Sequence, residues 1–163
     1  MQIISGIDIF IAVAFSGLLI AAAVSDLQSR RIPNALSVAI CGLFTVFAFA
    51  EVISGAAFLG AVVWPLLSAL VVFLIGAGLF ALRLMGGGDV KLMAATALFA
   101  GPALSLHFVL YVTLLGGFVA TGTLVHAQLS KETTLDQAKV PYGVAIAAGG
   151  LWVCFQRFSS LVT

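Results

Sequence analysis

The chain has 163 residues, 63% hydrophobic and 8% charged, with a mean hydropathy of +1.25. Soluble domains are about 45–50% apolar and about 25% charged, and a domain this small cannot hide such an excess from water. A soluble enzyme, a disordered tail and a disulfide scaffold are excluded, and a formal net charge of +1 offers no field for nucleic acid. An all-α polytopic membrane protein remains.

A helix needs about 20 apolar residues to cross the hydrocarbon layer. The first candidate span covers residues 7–24 and ends at Ser25-Asp26. Ala21-Ala22-Ala23 fits a signal-cleavage pattern, but the segment before it carries Asp8 and no Lys or Arg, so an uncleaved anchor is expected. The second span covers 35–50. The third lies within 55–82, with Pro65 as a candidate kink. Residues 90–127 are long for one tilted helix and short for two, with Gly101-Pro102 as the breaking point. A last span covers 140–155.

Charge arithmetic favours two spans in 90–127. The loops at 26–34, 83–91 and 127–140 then share one face and hold Arg30, Arg31, Arg83, Lys91, Lys131 and Lys139, leaving Arg157 opposite. The positive-inside rule makes that face cytoplasmic, which predicts about six transmembrane helices, one domain over 1–163 and both termini outside the cytoplasm. Cys41 and Cys154 form no C-x-x-C pair and read as small buried hydrophobes. His107 reads as a packed interior residue and His126 as an interfacial one. No metal-ligand spacing joins the cysteines and histidines, and no metal or other cofactor is expected.

Asp26 closes the first span and Asp89 opens the fourth, on the same predicted face. Two carboxyl groups brought together there would not both ionise. They would share a proton, so that the carboxylate activates water while the acid polarises a carbonyl. Each has a plainer reading: Asp26 pairing with Arg30 at i,i+4, and Asp89 as a helix N-cap. Lys91 can orient Asp89, contact a substrate or snorkel to the interface.

Asp26-Leu-Gln-Ser-Arg-Arg-Ile-Pro-Asn34 surrounds the first acid and Gly86-Gly87-Gly88-Asp89-Val90-Lys91 the second, and together these segments resemble the type IV prepilin peptidases, membrane aspartyl proteases with a G-x-G-D motif. Asp26, Arg31, Ile32, Pro33 and Asn34 match the family's first element. Gly86, Gly88, Asp89 and Lys91 match the second, and Pro141-Tyr142-Gly143 is similar to its P-Y-G segment. The resemblance implies removal of prepilin or pseudopilin leader peptides at the cytoplasmic face of a bacterial inner membrane. Asp26 and Asp89 would be the catalytic pair and the other matched residues would position substrate. Paired C-x-x-C sites, which accompany N-methylation in bifunctional members, are absent, so methylation is not expected. This minimal build is similar to the peptidases of tight-adherence (Flp-type) pili and, secondarily, to archaeal preflagellin peptidases. The competing readings are a small transporter with acidic relays and a non-catalytic subunit of a pilus or secretion machine. Oligomeric state is open.

Overall fold

The computed structural model describes residues 6–129 and 142–159. Every regular element in them is helical: α1 (Gly6–Ser29), α2 (Asn34–Ile53), a π-helical turn (Leu59–Val63), α3 (Trp64–Ala81), α4 (Gly87–Leu129) and α5 (Tyr142–Phe158). Among these, α1, α2, the run Leu59–Ala81 and the stretch Gly87–Gly122 are long and apolar enough to cross a membrane. The six crossings expected from the sequence are therefore not shown by helix length. α5 has 17 residues, and α4 is one hydrogen-bonded run with a break inside it. Lipid-facing side chains such as Phe10, Phe49 and Phe118 stay exposed, as a protein solvated by hydrocarbon allows.

The helix boundaries follow local chemistry. α1 runs five residues beyond the expected span, so Asp26 lies within its last turn instead of after it. It stops at Arg30, which takes a left-handed φ of 51°. Pro33 is extended (φ −60°, ψ 133°), and α2 starts directly after it. Pro65 sits in the first turn of α3, immediately after the π-helical turn; its ring cannot donate the backbone bond, and the wider turn accommodates the loss.

The break in α4 decides the architecture. Gly101 has φ 57° and ψ −171°, a region almost reserved for glycine, and Pro102 then removes a donor. Before the break α4 runs antiparallel to α3, with Gly87 against Phe80 and Gly101 beside Pro65. After it, Gly116 packs on Tyr142, which shares a cavity wall with Asp89. In a straight helix residues 89 and 116 would stand roughly 40 Å apart. The chain therefore folds back at Gly101, and both arms flank α5: Thr96 meets Gly150 while Phe108 and Val112 meet Gly149.

Phe99, just before the break, stacks on Phe15 at 4.2 Å between ring centroids and meets Phe44 at 5.5 Å and Phe47 at 5.7 Å. Such pairs contribute about 0.5–1.5 kcal/mol each beyond area burial. Among lipid tails, where apolarity alone does not drive helices together, close packing of this kind does. Arg157 lies over the Phe47 ring at 5.3 Å, far along α2 from Asn34.

Two smaller expectations are corrected. Cys154 is buried, with its Sγ 3.4 Å from Ser16 Oγ, but Cys41 faces outward on α2. His107 is exposed, 6.1 Å from the Trp152 ring centroid, instead of packed inside, because its side of α4 turns away from the core. The side chain of His126, together with Lys131, Lys139 and Pro141, lies outside the described residues.

Gly150 tests the central packing. A Cβ there would stand 2.7 Å from Leu19 Cδ1 and 2.9 Å from Thr96 Cγ2. Gly150→Leu is expected to cost about 1–3 kcal/mol by overpacking and to lower the thermal midpoint in detergent. Gly117→Leu, at a position open to its surroundings, should leave the midpoint unchanged.

Candidate active site

Asp26 projects from the last turn of α1 and is buried, at 6% exposure. Its Oδ2 accepts a hydrogen bond of 2.7 Å from the backbone N–H of Gly143. That N–H belongs to the first turn of α5, where helical donors have no partner within the helix. The carboxylate thus closes the N-terminus of a helix 117 residues away, where the helix dipole favours negative charge. Only glycine allows this approach, since a Cβ at 143 would lie 2.8 Å from the Cβ of Asp26.

Asp89 is half-buried at the third position of α4. Its Oδ2 accepts from the Gly86 N–H at 3.2 Å, so it reaches back over the helix start in the manner of a capping box. The N-cap position itself is Gly86, which replaces the simpler reading of Asp89 as the cap. Asp26 and Asp89 line one half-open cavity of about 780 Å³, together with Arg30, Phe80, Ala81, residues 83–86 and Tyr142. The acids are close enough for the charge of Asp26 to act on Asp89.

Backbone strain gathers at this cavity. Arg30 and Arg83 are the two non-glycine residues with positive φ among those described, at 51° and 60°, and both line it. Each follows the last turn of a helix, where a left-handed residue reverses the chain. A bulky residue held there costs of order 1 kcal/mol, and such strain concentrates at working sites.

The matched motif residues are brought together, though not all around the acids. Gly88 packs against Ile32, with 3.3 Å between its Cβ direction and the Ile32 Cβ, so the start of α4 nests on the loop before α2. Lys91 Nζ donates to Asn34 Oδ1 at 3.0 Å, tying the same two elements on the far side. Lys91 therefore does not face the cavity, for it stands about 200° around the helix from Asp89. The Arg31 side chain is exposed, while its carbonyl accepts from Ser25 Oγ at 2.9 Å and Ser29 Oγ at 3.3 Å, which shapes the loop into Pro33. Of the two arginines that line the cavity, Arg30 is the one whose charge acts on Asp26.

Sequence reasoning missed Arg83, Phe80 and Met85 as cavity walls. Their only signal was proximity to the triple glycine. In chemical terms the cavity offers one strongly hydrogen-bonded carboxylate, a second acid beside it, two cations and an aromatic wall.

Searches among curated proteins and solved structures gave no match. A family model described as the type IV leader peptidase family matches residues 13–121, a stretch that includes both acids and the motifs around them. With two thirds of the chain inside that match and its two motif-borne aspartates lining one cavity, the chain belongs to the type IV leader peptidase family.

Proposed function

We propose that the chain is an aspartyl endopeptidase that removes the leader peptide of Flp-type type IV prepilins or pseudopilins. It acts at the cytoplasmic face of a bacterial inner membrane, as a single six-crossing domain with both termini on the opposite side. The observation that carries this reading is the shared cavity of Asp26 and Asp89 in a member of a leader peptidase family. The fold-back at Gly101 supports six crossings, because it divides α4 into two oppositely directed arms that both flank α5.

In the proposed reaction the precursor enters with its apolar segment in the bilayer and its leader at the cavity. The scissile peptide must unwind, since a helical carbonyl is already engaged. Asp26, whose carboxylate accepts from the Gly143 N–H at the start of α5, removes a proton from water. Asp89, protonated beside it, donates to the carbonyl oxygen as hydroxide adds to carbon. The tetrahedral intermediate then collapses: one of its hydroxyls returns a proton to Asp89, the C–N bond breaks, and the amine leaves with the proton that Asp26 took up. Gly86, Gly88, Lys91, Arg31, Pro33, Asn34, Pro141, Tyr142 and Gly143 hold this arrangement or position the substrate.

Co-expression with a precursor carrying a basic leader, a glycine, a glutamate and an apolar run provides the test. The expected result is a mobility shift and a new N-terminus directly after the glycine, read by mass spectrometry. Unprocessed precursor beside correctly inserted enzyme, across a panel of such substrates, would sink the reading.

A further inference from the structure

A second groove lies on the opposite side of α4 from the aspartates, between α2 and α3, and its volume is about 640 Å³. Its wall changes character with depth. At the mouth stand the Lys91 ammonium and the Asn34 amide, held together at 3.0 Å. One turn deeper along α2 is Ser37, whose hydroxyl is buried without a hydrogen-bond partner, at 7% exposure for the residue. Beyond it the lining is apolar, formed by residues such as Cys41, Phe73 and Leu98.

We propose that this groove binds one anionic glycerophospholipid. The order cation, hydroxyl, hydrocarbon repeats the order phosphate, glycerol ester, acyl chain over the same depth. Lys91 and Asn34 take the phosphate, the orphaned Ser37 hydroxyl donates to an ester carbonyl, and the acyl chains lie over Ala94, Ala95 and Leu98. A buried hydroxyl left unpaired costs about 1–3 kcal/mol, so it marks a missing acceptor.

From Asn34 to Cys41 the groove runs about 10 Å along α2, with its one cation at the mouth and only apolar side chains beyond Ser37, an order that fits the headgroup and acyl chains of one lipid. The groove is a different surface from the aspartate cavity, and lipid labelling is read without reference to cleavage.

The test uses the full-length protein in phosphatidylcholine vesicles containing phosphatidylglycerol with a photolysable acyl chain, adducts being mapped by mass spectrometry. Adducts should concentrate in 34–41, 66–73 and 91–98. Photolysable phosphatidylcholine should label these segments at least about fivefold less, the worth of one lysine beside an anionic headgroup. Lys91→Gln should remove the same factor while labelling around the outward-facing Phe118 stays constant, which controls for misfolding. Excess free glycerol phosphate should not compete. Equal labelling by both lipids overturns the proposal, as does Lys91→Gln labelling that matches wild type. Displacement of the label by glycerol phosphate, or by a transmembrane peptide with one acidic residue at equimolar ratio, also overturns it.

Discussion

Asp26→Asn and Asp89→Asn are each expected to abolish precursor cleavage, a loss of about 10³-fold or more, with insertion and thermal midpoint close to wild type. The separation of chemistry from structure follows from the contacts. Among the described residues the hydrogen bonds of each acid are as an acceptor, for Gly143 N–H at 2.7 Å and for Gly86 N–H at 3.2 Å, and Asp26 also feels the charge of Arg30. An asparagine oxygen accepts the same bonds, and Asn serves helix starts about as well as Asp. What Asn cannot do is take a proton from water or give one to a carbonyl oxygen, and general acid–base steps are worth about 10²–10⁴-fold each. A purely structural role would therefore leave both variants active. Gel mobility of co-expressed precursor, quantified by single-turnover cleavage with purified enzyme, distinguishes the outcomes. Normal processing by either variant would remove the dyad.

Gly143→Ala should be nearly as damaging without touching an ionisable group. The added methyl would stand 2.8 Å from both Cβ and Oδ2 of Asp26 and 2.9 Å from its Cγ. Contact with a Cβ cannot be relieved by rotating the carboxylate, so α1 and α5 must separate and the Asp26–Gly143 bond lengthens. A misplacement of about 1 Å at a reacting group costs on the order of 10²-fold. Overpacking should also remove about 1–3 kcal/mol of stability. The loss should fall in kcat more than in KM, because the proposed reaction leaves the substrate's apolar segment in the bilayer, away from residue 143. Gly117→Ala, on an open face of α4, is the control and should retain full activity. Wild-type kcat in Gly143→Ala would show that the Gly143 N–H is dispensable and that Asp26 is held by something else.

The motif match carried further than its spacing alone could. Glycine at 88 and the sequence Ile32-Pro33-Asn34 belong to elements more than fifty residues apart, yet the structure seats one on the other and then ties them through Lys91 and Asn34. The P-Y-G segment lies in neither of those elements. The structure brings its glycine to Asp26 as a hydrogen-bond donor, while Pro141 falls outside the described residues.

Solvent class, helical character, the reversal at Gly101-Pro102 and the two motif-bearing acids were legible from residue chemistry. Apolar run length, missing proline donors and glycine's access to positive φ are local properties that need no neighbours. The sequence could also have shown that Asp89 and Lys91 point apart, since two positions along a helix turn it by about 200°. It could not show what lay on either side. Arg30 instead of Arg31 beside the acids, Lys91 at a second groove, Cys41 and His107 turned outward, and Gly143 against Asp26 all depend on which faces of α1, α2, α4 and α5 meet. Those pairings include residues more than a hundred positions apart, Asp26 and Gly143 being 117 apart, and side-chain packing across the bundle selects them, not any pattern along a single helix.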